Sequence, residues 1–405
     1  MTTQPFRAAS QEWRLYCGPQ ALEQYLPEAA TRAKAKRAFV ICSPSINRRT
    51  DTVERIKAAL GDRFAGVYDG IEKDSTYASV QAATDAAKAA AADMLIAAGG
   101  GSVLVAVRVV AVYLGEGGSP FELMTQYPEG KPAYSPRLMA PKLPIINIPT
   151  TPTSAMNRAG SGLKNPDLDH RMEYFDPKTR PHSIFLDEGV LLSSPPDVVR
   201  STATTVFAGA ISSISQMGSN PLVAGDLQHG FRLAHDAYLR LMNELDNPAL
   251  RIDLSLAAFL ANRAEDDGRR RFTAGPFSGS YAISTALHVR YPTVGQGEST
   301  SVVHAPALRL AAEGVDLAQA RQVASALGVW ADGMSAEAAA MAVADRLEAV
   351  YAQTGVPTQV RQLDIPEDDL IGIARETIKN FNANAGARSP DEQVADALRL
   401  LQAAW

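Results

Sequence analysis

The run Ile96-Ala97-Ala98 leads into Gly99-Gly100-Gly101-Ser102, and an apolar stretch follows at once, so three glycines sit where a strand pattern turns into a helix pattern. Residues without a Cβ let the backbone come close to a ligand, and a helix N-terminus offers N–H groups and partial positive charge to an anion. The strand before and the helix after favour a dinucleotide-phosphate cradle over a purely structural turn. Other reactive side chains are sparse. His229 and His235 are spaced to face different sides of a helix, and His170, His182 and His304 have no partner at ligand spacing, so surface or hydrogen-bonded roles suit each of them. Arg269-Arg270-Arg271 beside Asp266-Asp267 could hold an anionic substrate, although a solvated charged loop fits the pattern better. Cys17 and Cys42 read as reduced core residues of a cytosolic protein.

The elements that must position this turn alternate from Lys36 onward. Ala38-Phe39-Val40-Ile41-Cys42 is a compact β run ended by Ser43-Pro44. A helix through 53–60, a strand at Phe64-Ala65-Gly66-Val67-Tyr68, an alanine-rich helix over 80–92 and a strand at Met94-Leu95-Ile96-Ala97-Ala98 follow. Such alternation argues for a parallel sheet covered on both faces, half of a doubly wound, Rossmann-like domain. The apolar run 103–114 is interrupted by Arg108 and is shorter than the about 20 residues a bilayer requires, so it is expected as a buried helix. Further strands are expected at Leu143-Pro144-Ile145-Ile146-Asn147-Ile148, before Pro149-Thr150-Thr151, and at Ser183-Ile184-Phe185-Leu186. The intervening 157–181, rich in Gly, Asp, Arg and Pro, suits a β-hairpin or loop. Beyond Pro195-Pro196 the β signals fade into helices rich in Ala and Leu. The expected domains are therefore 1–192, α/β and nucleotide-binding, and 193–405, all-α.

A chain of 405 residues exceeds one ordinary core, which agrees with two domains. A net charge of -5 gives no electrostatic reason to expect nucleic acid or an anionic membrane as a partner. Residues 1–14 lack the apolar run of a signal peptide, so a cytoplasmic location is expected. The expected partner is a small-molecule substrate, and the expected assembly is a homodimer.

Asp93-Met94-Leu95-Ile96-Ala97-Ala98-Gly99-Gly100-Gly101-Ser102, Pro149-Thr150-Thr151 after a strand and Tyr16-Cys17-Gly18-Pro19 together resemble the iron-containing alcohol dehydrogenase superfamily, nearest its maleylacetate reductase branch. Phe185-Leu186-Asp187, Ser194-Pro195-Pro196 and Gly297-Glu298 extend the likeness over most of the chain. The resemblance implies a dehydroquinate synthase-like fold, with an NAD(P)-binding α/β domain, a helical domain and a cleft between them holding a divalent metal on one Asp and three His. It assigns Gly99, Gly100, Gly101, Ser102, Ser43, Thr150 and Thr151 to the cofactor. At the metal positions this chain carries Thr205, Gly209, Ser284 and Gln296, while His288 matches a cleft histidine. Hydroxyl and amide groups are poor ligands for a transition metal and glycine has no side chain, so no metal is expected. Behind the glycine turn, Val105 and Arg108 stand where the family commonly has aspartate and lysine, and Ser154-Ala155-Met156 replaces its Gly-Ser-Glu stretch.

An imidazole titrates near neutral pH, as a general acid or base requires, which makes His288 the expected catalytic residue. Glu298 and Tyr281 are candidate proton-transfer partners, and Gln296, Thr205 and Ser284 candidate substrate contacts. The expected function is metal-independent, NAD(P)-linked oxidoreduction of a small polar carbonyl or carboxylate compound. A lyase or isomerase reusing the same cleft, and a catalytically silent binding homologue, stay open as alternatives.

Overall fold

The computed structural model describes residues 5–9, 12–128, 131–267, 276–278, 281–380, 383 and 388–405. Packing divides the chain into two compact units, 11–195 and 196–405, residues 1–10 grouping with the second. The sequence places that boundary at 192/193; the short helix 188–192 and its trailing turn pack with the first unit.

The first unit is built on strands β1 (Arg14–Gly18), β2 (Ala38–Cys42), β3 (Phe64–Tyr68), β4 (Met94–Gly99), β5 (Ile145–Pro149) and β8 (Ser183–Asp187), with the antiparallel hairpin β6 (Gly160–Leu163) and β7 (Met172–Phe175) between the last two. The main sheet runs β1-β8-β5-β4-β2-β3, every neighbour parallel. Helices α1 (Ala21–Arg32), α2 (Pro44–Arg49), α3 (Thr52–Leu60), α4 (Tyr77–Ala89), α5 (Gly101–Gly115), α6 (Pro120–Leu123) and α7 (Glu188–Leu192) connect them. Strand side chains alternate between faces. One face sends Val40, Cys42, Ile96, Ala98, Ile146 and Ile148 into a core with Leu22 and Leu26 of α1 and Val53 and Ile56 of α3. The alternate positions, Ile41, Leu95, Ala97 and Ile145, are equally buried, and α5 packs against β2, β4 and β5. Burial on both faces explains why these strands read as continuous apolar runs.

Two features depart from the sequence-based expectation. β1 and α1 carry no strong pattern before Lys36, because β1 is a part-exposed edge strand whose pairing partner, β8, lies far along the chain. Cys17 sits on that edge and is exposed, so only Cys42 is the buried thiol expected of both; burial raises it to about 12.

The second unit is helical: α8 (Pro196–Ile214), α9 (Pro221–Leu241), α10 (Pro248–Asp266), α11 (Tyr281–Arg290), α12 (Gln296–Ala311), α13 (Leu317–Ala326), α14 (Ala336–Gln353), α15 (Leu370–Glu376) and α16 (Pro390–Ala404). Phe207 stacks on Tyr238 at 4.6 Å, and the Tyr238 hydroxyl meets Thr204 Oγ1 (2.8 Å) and Thr354 Oγ1 (2.9 Å), tying α8, α9 and the end of α14.

At the carboxyl end of β8 the buried Asp187 accepts the N–H of Leu22 (3.3 Å) and caps α7 at Val190 (3.1 Å). Arg55 neutralises it at 3.0 Å while also holding Glu23 at 2.6 Å. Removing one partner leaves a buried charge unpaired, which costs roughly 3 kcal/mol or more. Arg55→Met is therefore expected to lower unfolding free energy by about 3 kcal/mol in urea titration; a loss within experimental error would show that Asp187 does not need its cation.

Candidate functional site

β4 runs buried to Gly99, which lies opposite Pro149 of β5, and α5 begins two residues later. A Cβ on Gly99 would lie 2.6 Å from Val103 Cγ2, so the first turn of α5 closes onto the strand only because glycine is there. Gly100 and Gly101 face the hydroxyls of Thr151 and Thr153, which stand 3.6 and 3.4 Å from where a Cβ would be. Thr150 N donates to Gly99 O (3.2 Å), stitching the two strand ends together. The N-cap, Gly100, is extended and makes no side-chain capping bond; its carbonyl accepts Val103 N (3.0 Å) and Leu104 N (3.2 Å), which leaves the N–H groups of Gly101 and Ser102 without an intrahelical acceptor, at the positive end of the helix dipole. Thr151 is buried, and its Oγ1 has no hydrogen-bond partner. An unsatisfied buried hydroxyl costs about 1–3 kcal/mol. An anionic oxygen at the turn would satisfy both the hydroxyl and the amides, so the cradle fits a dinucleotide phosphate.

The other cofactor residues divide. Ser43 follows β2, which neighbours β4, at the N-cap of α2, and its Oγ meets Ser45 Oγ at 3.0 Å. Ser102 lies in the turn, but its side chain accepts Asp74 N (3.1 Å) and its carbonyl accepts the Ser75 hydroxyl (2.6 Å). Asp74 and Ser75 both have positive φ, 63° and 54°, so Ser102 pins a left-handed loop beside the cradle. Sequence patterns give no sign of that loop, nor of Thr153. Arg108 also differs from expectation. It is buried and donates to Ser161 Oγ (3.0 Å) and to the carbonyls of Ala155 (2.7 Å) and Arg158 (2.8 Å). Burial, with Arg158 nearby, pulls it down to about 9, and it remains protonated at neutral pH. Its charge serves the loop after Thr151 rather than a cofactor phosphate.

In the helical unit, the first turn of α12 crosses α8 at Gly297, whose Cβ would collide with the Ser201 backbone. Ser201 Oγ accepts Gly297 N (2.9 Å) and donates to Glu298 Oε2 (2.6 Å). Glu298 thus joins two helices rather than standing as a free carboxylate. Gln296 Nε2 reaches Tyr281 OH at 3.4 Å, bringing two of the expected residues together; Tyr281 is exposed, not core-packed. Ser284 is buried in a hydroxyl cluster with Ser299 (2.9 Å) and Thr300 (3.0 Å). His288, also buried, lies with Nδ1 2.9 Å from Ser284 O. A carbonyl only accepts, so Nδ1 carries the proton and Nε2 is the basic nitrogen. Thr205 bonds back to Ser201 O and Thr202 O of its own helix, and Gly209 faces open space. Thr205, Gly209, Ser284 and Gln296 are by their chemistry not a donor set for Fe²⁺ or Zn²⁺, and among the described residues no group of three or more His, Cys, Asp or Glu could hold a metal. Arg269-Arg270-Arg271 lies outside the described residues.

His304 anchors the approach to α11. Its Nε2–H donates to Phe277 O (3.1 Å), leaving Nδ1 to accept the Tyr351 hydroxyl (2.7 Å). It is the hydrogen-bonded histidine its isolated position in the sequence suggests.

Residues 13–188 match the family model "Iron-containing alcohol dehydrogenase", and residues 201–405 match "Fe-containing alcohol dehydrogenase family, C-terminal". Maleylacetate reductase 2 of Cupriavidus pinatubonensis is 28% identical over 49% of this chain and 46% of its own, so the chain spans about half the length of that curated relative. Among solved structures, maleylacetate reductase from Agrobacterium tumefaciens superposes with a TM-score of 0.73 at 17% identity, covering 99% of this chain and 98% of that one. An archaeal halo-thermophilic Red Sea brine pool alcohol dehydrogenase superposes with a TM-score of 0.84 at 16% identity over 100% of both chains. At these identities the structural likeness shows the fold.

Burial lowers His304 from 6.5 to about 4, so the folded protein keeps it neutral where the unfolded chain binds a proton. Stability is then present above the unfolded value and is lost as pH falls from 6.5 towards 4, by up to roughly 3 kcal/mol. His304→Gln, which can keep both hydrogen bonds, is expected to flatten this part of the stability profile in denaturant titrations between those pH values. An unchanged slope in the variant would assign the acid sensitivity to other groups.

Proposed function

The chain belongs to the iron-containing alcohol dehydrogenase family, and from that premise we propose that it is a metal-independent, NAD(P)-linked oxidoreductase acting on a small polar carbonyl or carboxylate compound. The observation that carries this reading is the cradle at Gly99-Gly100-Gly101, with the unsatisfied Thr151 hydroxyl beside the uncapped start of α5. Reduced nicotinamide, when bound, supplies the hydride that adds to a carbonyl carbon. Negative charge then develops on the carbonyl oxygen, which the family's usual metal would help to stabilise, and the oxygen gains a proton to give the alcohol. Here His288, doubly protonated for the reductive step, is the proposed donor through Nε2, its ring oriented by Nδ1 on Ser284 O. In the oxidative direction the same nitrogen takes the alcohol proton. The donor chemistry of Thr205, Gly209, Ser284 and Gln296 supports a mechanism without metal.

Titration with NADH and NADPH, followed by nicotinamide fluorescence, is expected to give saturable binding of one of them. Thr151→Val should weaken it about tenfold, the effect of one phosphate hydrogen bond, with little change in melting temperature. Absence of binding by both at millimolar concentration would overturn the redox reading and favour proton-transfer chemistry of the lyase or isomerase kind.

Purified protein is expected to hold far less than one equivalent of Fe, Zn or Mn, and chelator should leave turnover intact on a substrate found by screening carbonyl compounds with the bound cofactor. His288→Ala should lower kcat by at least about 100-fold while the protein stays folded and keeps its cofactor affinity. Full activity in that variant, or a stoichiometric metal whose removal abolishes turnover, would contradict the proposed mechanism.

A further inference from the structure

A groove of about 880 Å³ lies on the helical unit between the end of α8, α9 and α13. At about 100° per residue, Ile214, which lines it, comes out on the opposite side of α8 from Thr205, so the groove is separate from the former metal positions. Its floor is apolar, with Ile214, Phe231 and Ala318, and its described lining contains Arg232 and Arg321 but no aspartate or glutamate. Arg232 Nη2 donates to His229 Nδ1 at 3.0 Å, which orients the guanidinium without neutralising it. Arg321 lies over the Trp330 ring, 5.4 Å from its centroid. Among the described residues neither arginine makes a direct ion pair, and Asp253 acts on Arg232 only at longer range. Two guanidinium groups without a direct ion pair thus stand over an apolar floor.

We propose that this groove is a binding site for a small amphiphilic carboxylate. Arg232 and Arg321 take the carboxylate, a geometry guanidinium groups suit through paired N–H donors, and the apolar chain covers Ile214, Phe231 and Ala318. The volume is that of a site for one small ligand. Gly225 keeps it open: it lines the groove, and a Cβ there would meet nothing within 4 Å. A larger side chain at 225 therefore fills the groove without disturbing the core, and in mid-helix it removes a glycine that disfavours the helix.

The test is calorimetric titration of the full-length protein with octanoate and, separately, with 1-octanol. Octanoate is expected to bind at one site and 1-octanol at least about tenfold more weakly, the margin expected from charge-assisted hydrogen bonds. Gly225→Leu, and independently the double variant Arg232→Gln with Arg321→Gln, should each weaken octanoate at least about tenfold while leaving NADH or NADPH titration unchanged. Gly225→Leu retains both arginines, so the proposal stays testable if the double variant does not fold. No octanoate binding up to about 10 mM, equal affinity for 1-octanol, or binding unaffected by Gly225→Leu would each overturn the assignment. So would self-association that Gly225→Leu abolishes in the absence of octanoate binding.

Discussion

A guanidinium inside an apolar helix has to find acceptors, and the way Arg108 finds them shapes the nucleotide-binding half. α5 is buried on nearly every side, as its otherwise apolar sequence demands, yet carries this cation at its centre. With no carboxylate beside it, the charge is met by Ser161 Oγ and the carbonyls of Ala155 and Arg158. Those bonds bind the segment after β5 to the helix that begins at the glycine turn. Thr151 and Thr153 are thereby held against Gly100 and Gly101, and Asn147 adds a second tie through Met156 O at 2.7 Å. The cradle is thus two backbone segments locked by one buried charge, and its unsatisfied Thr151 hydroxyl marks where protein stops supplying partners.

The helical unit meets a comparable constraint with small residues. α12 can start against α8 only because Gly297 has no side chain, and Ser201 fixes the crossing by accepting one bond and donating another. Ser299 and Thr300 donate their hydroxyls to Gln296 O and meet Ser284 Oγ, and His288 is oriented on the carbonyl of Ser284. Close backbone contact and neutral hydrogen bonds hold these helices together.

How far this was legible in the sequence follows from the range of the forces involved. The central strands and α5 declare themselves because burial on both sides leaves unbroken apolar runs, and the glycine turn because its meaning lies in adjacent residues. β1 is hidden, since an edge strand carries a weak pattern and its pairing with β8 is non-local. Arg108 looked like a substitute for a cofactor-binding lysine; nothing local shows that its acceptors arrive from residues 155–161. Glu298 looked like a free acid because Ser201, its partner, lies about 100 positions earlier in the chain. His304 was legible as a hydrogen-bonded histidine, but not as an anchor for the segment preceding α11.

The central claim, that the start of α5 and the loop at Thr151 hold a dinucleotide phosphate without help from a metal, is tested most directly by amide hydrogen exchange of chelator-treated protein with and without saturating NADH or NADPH. Slowed exchange at residues 101–102 and 151–153 on cofactor addition is the predicted result. Cofactor binding that leaves these amides unprotected, or protection that appears only after a divalent metal is restored, would contradict it.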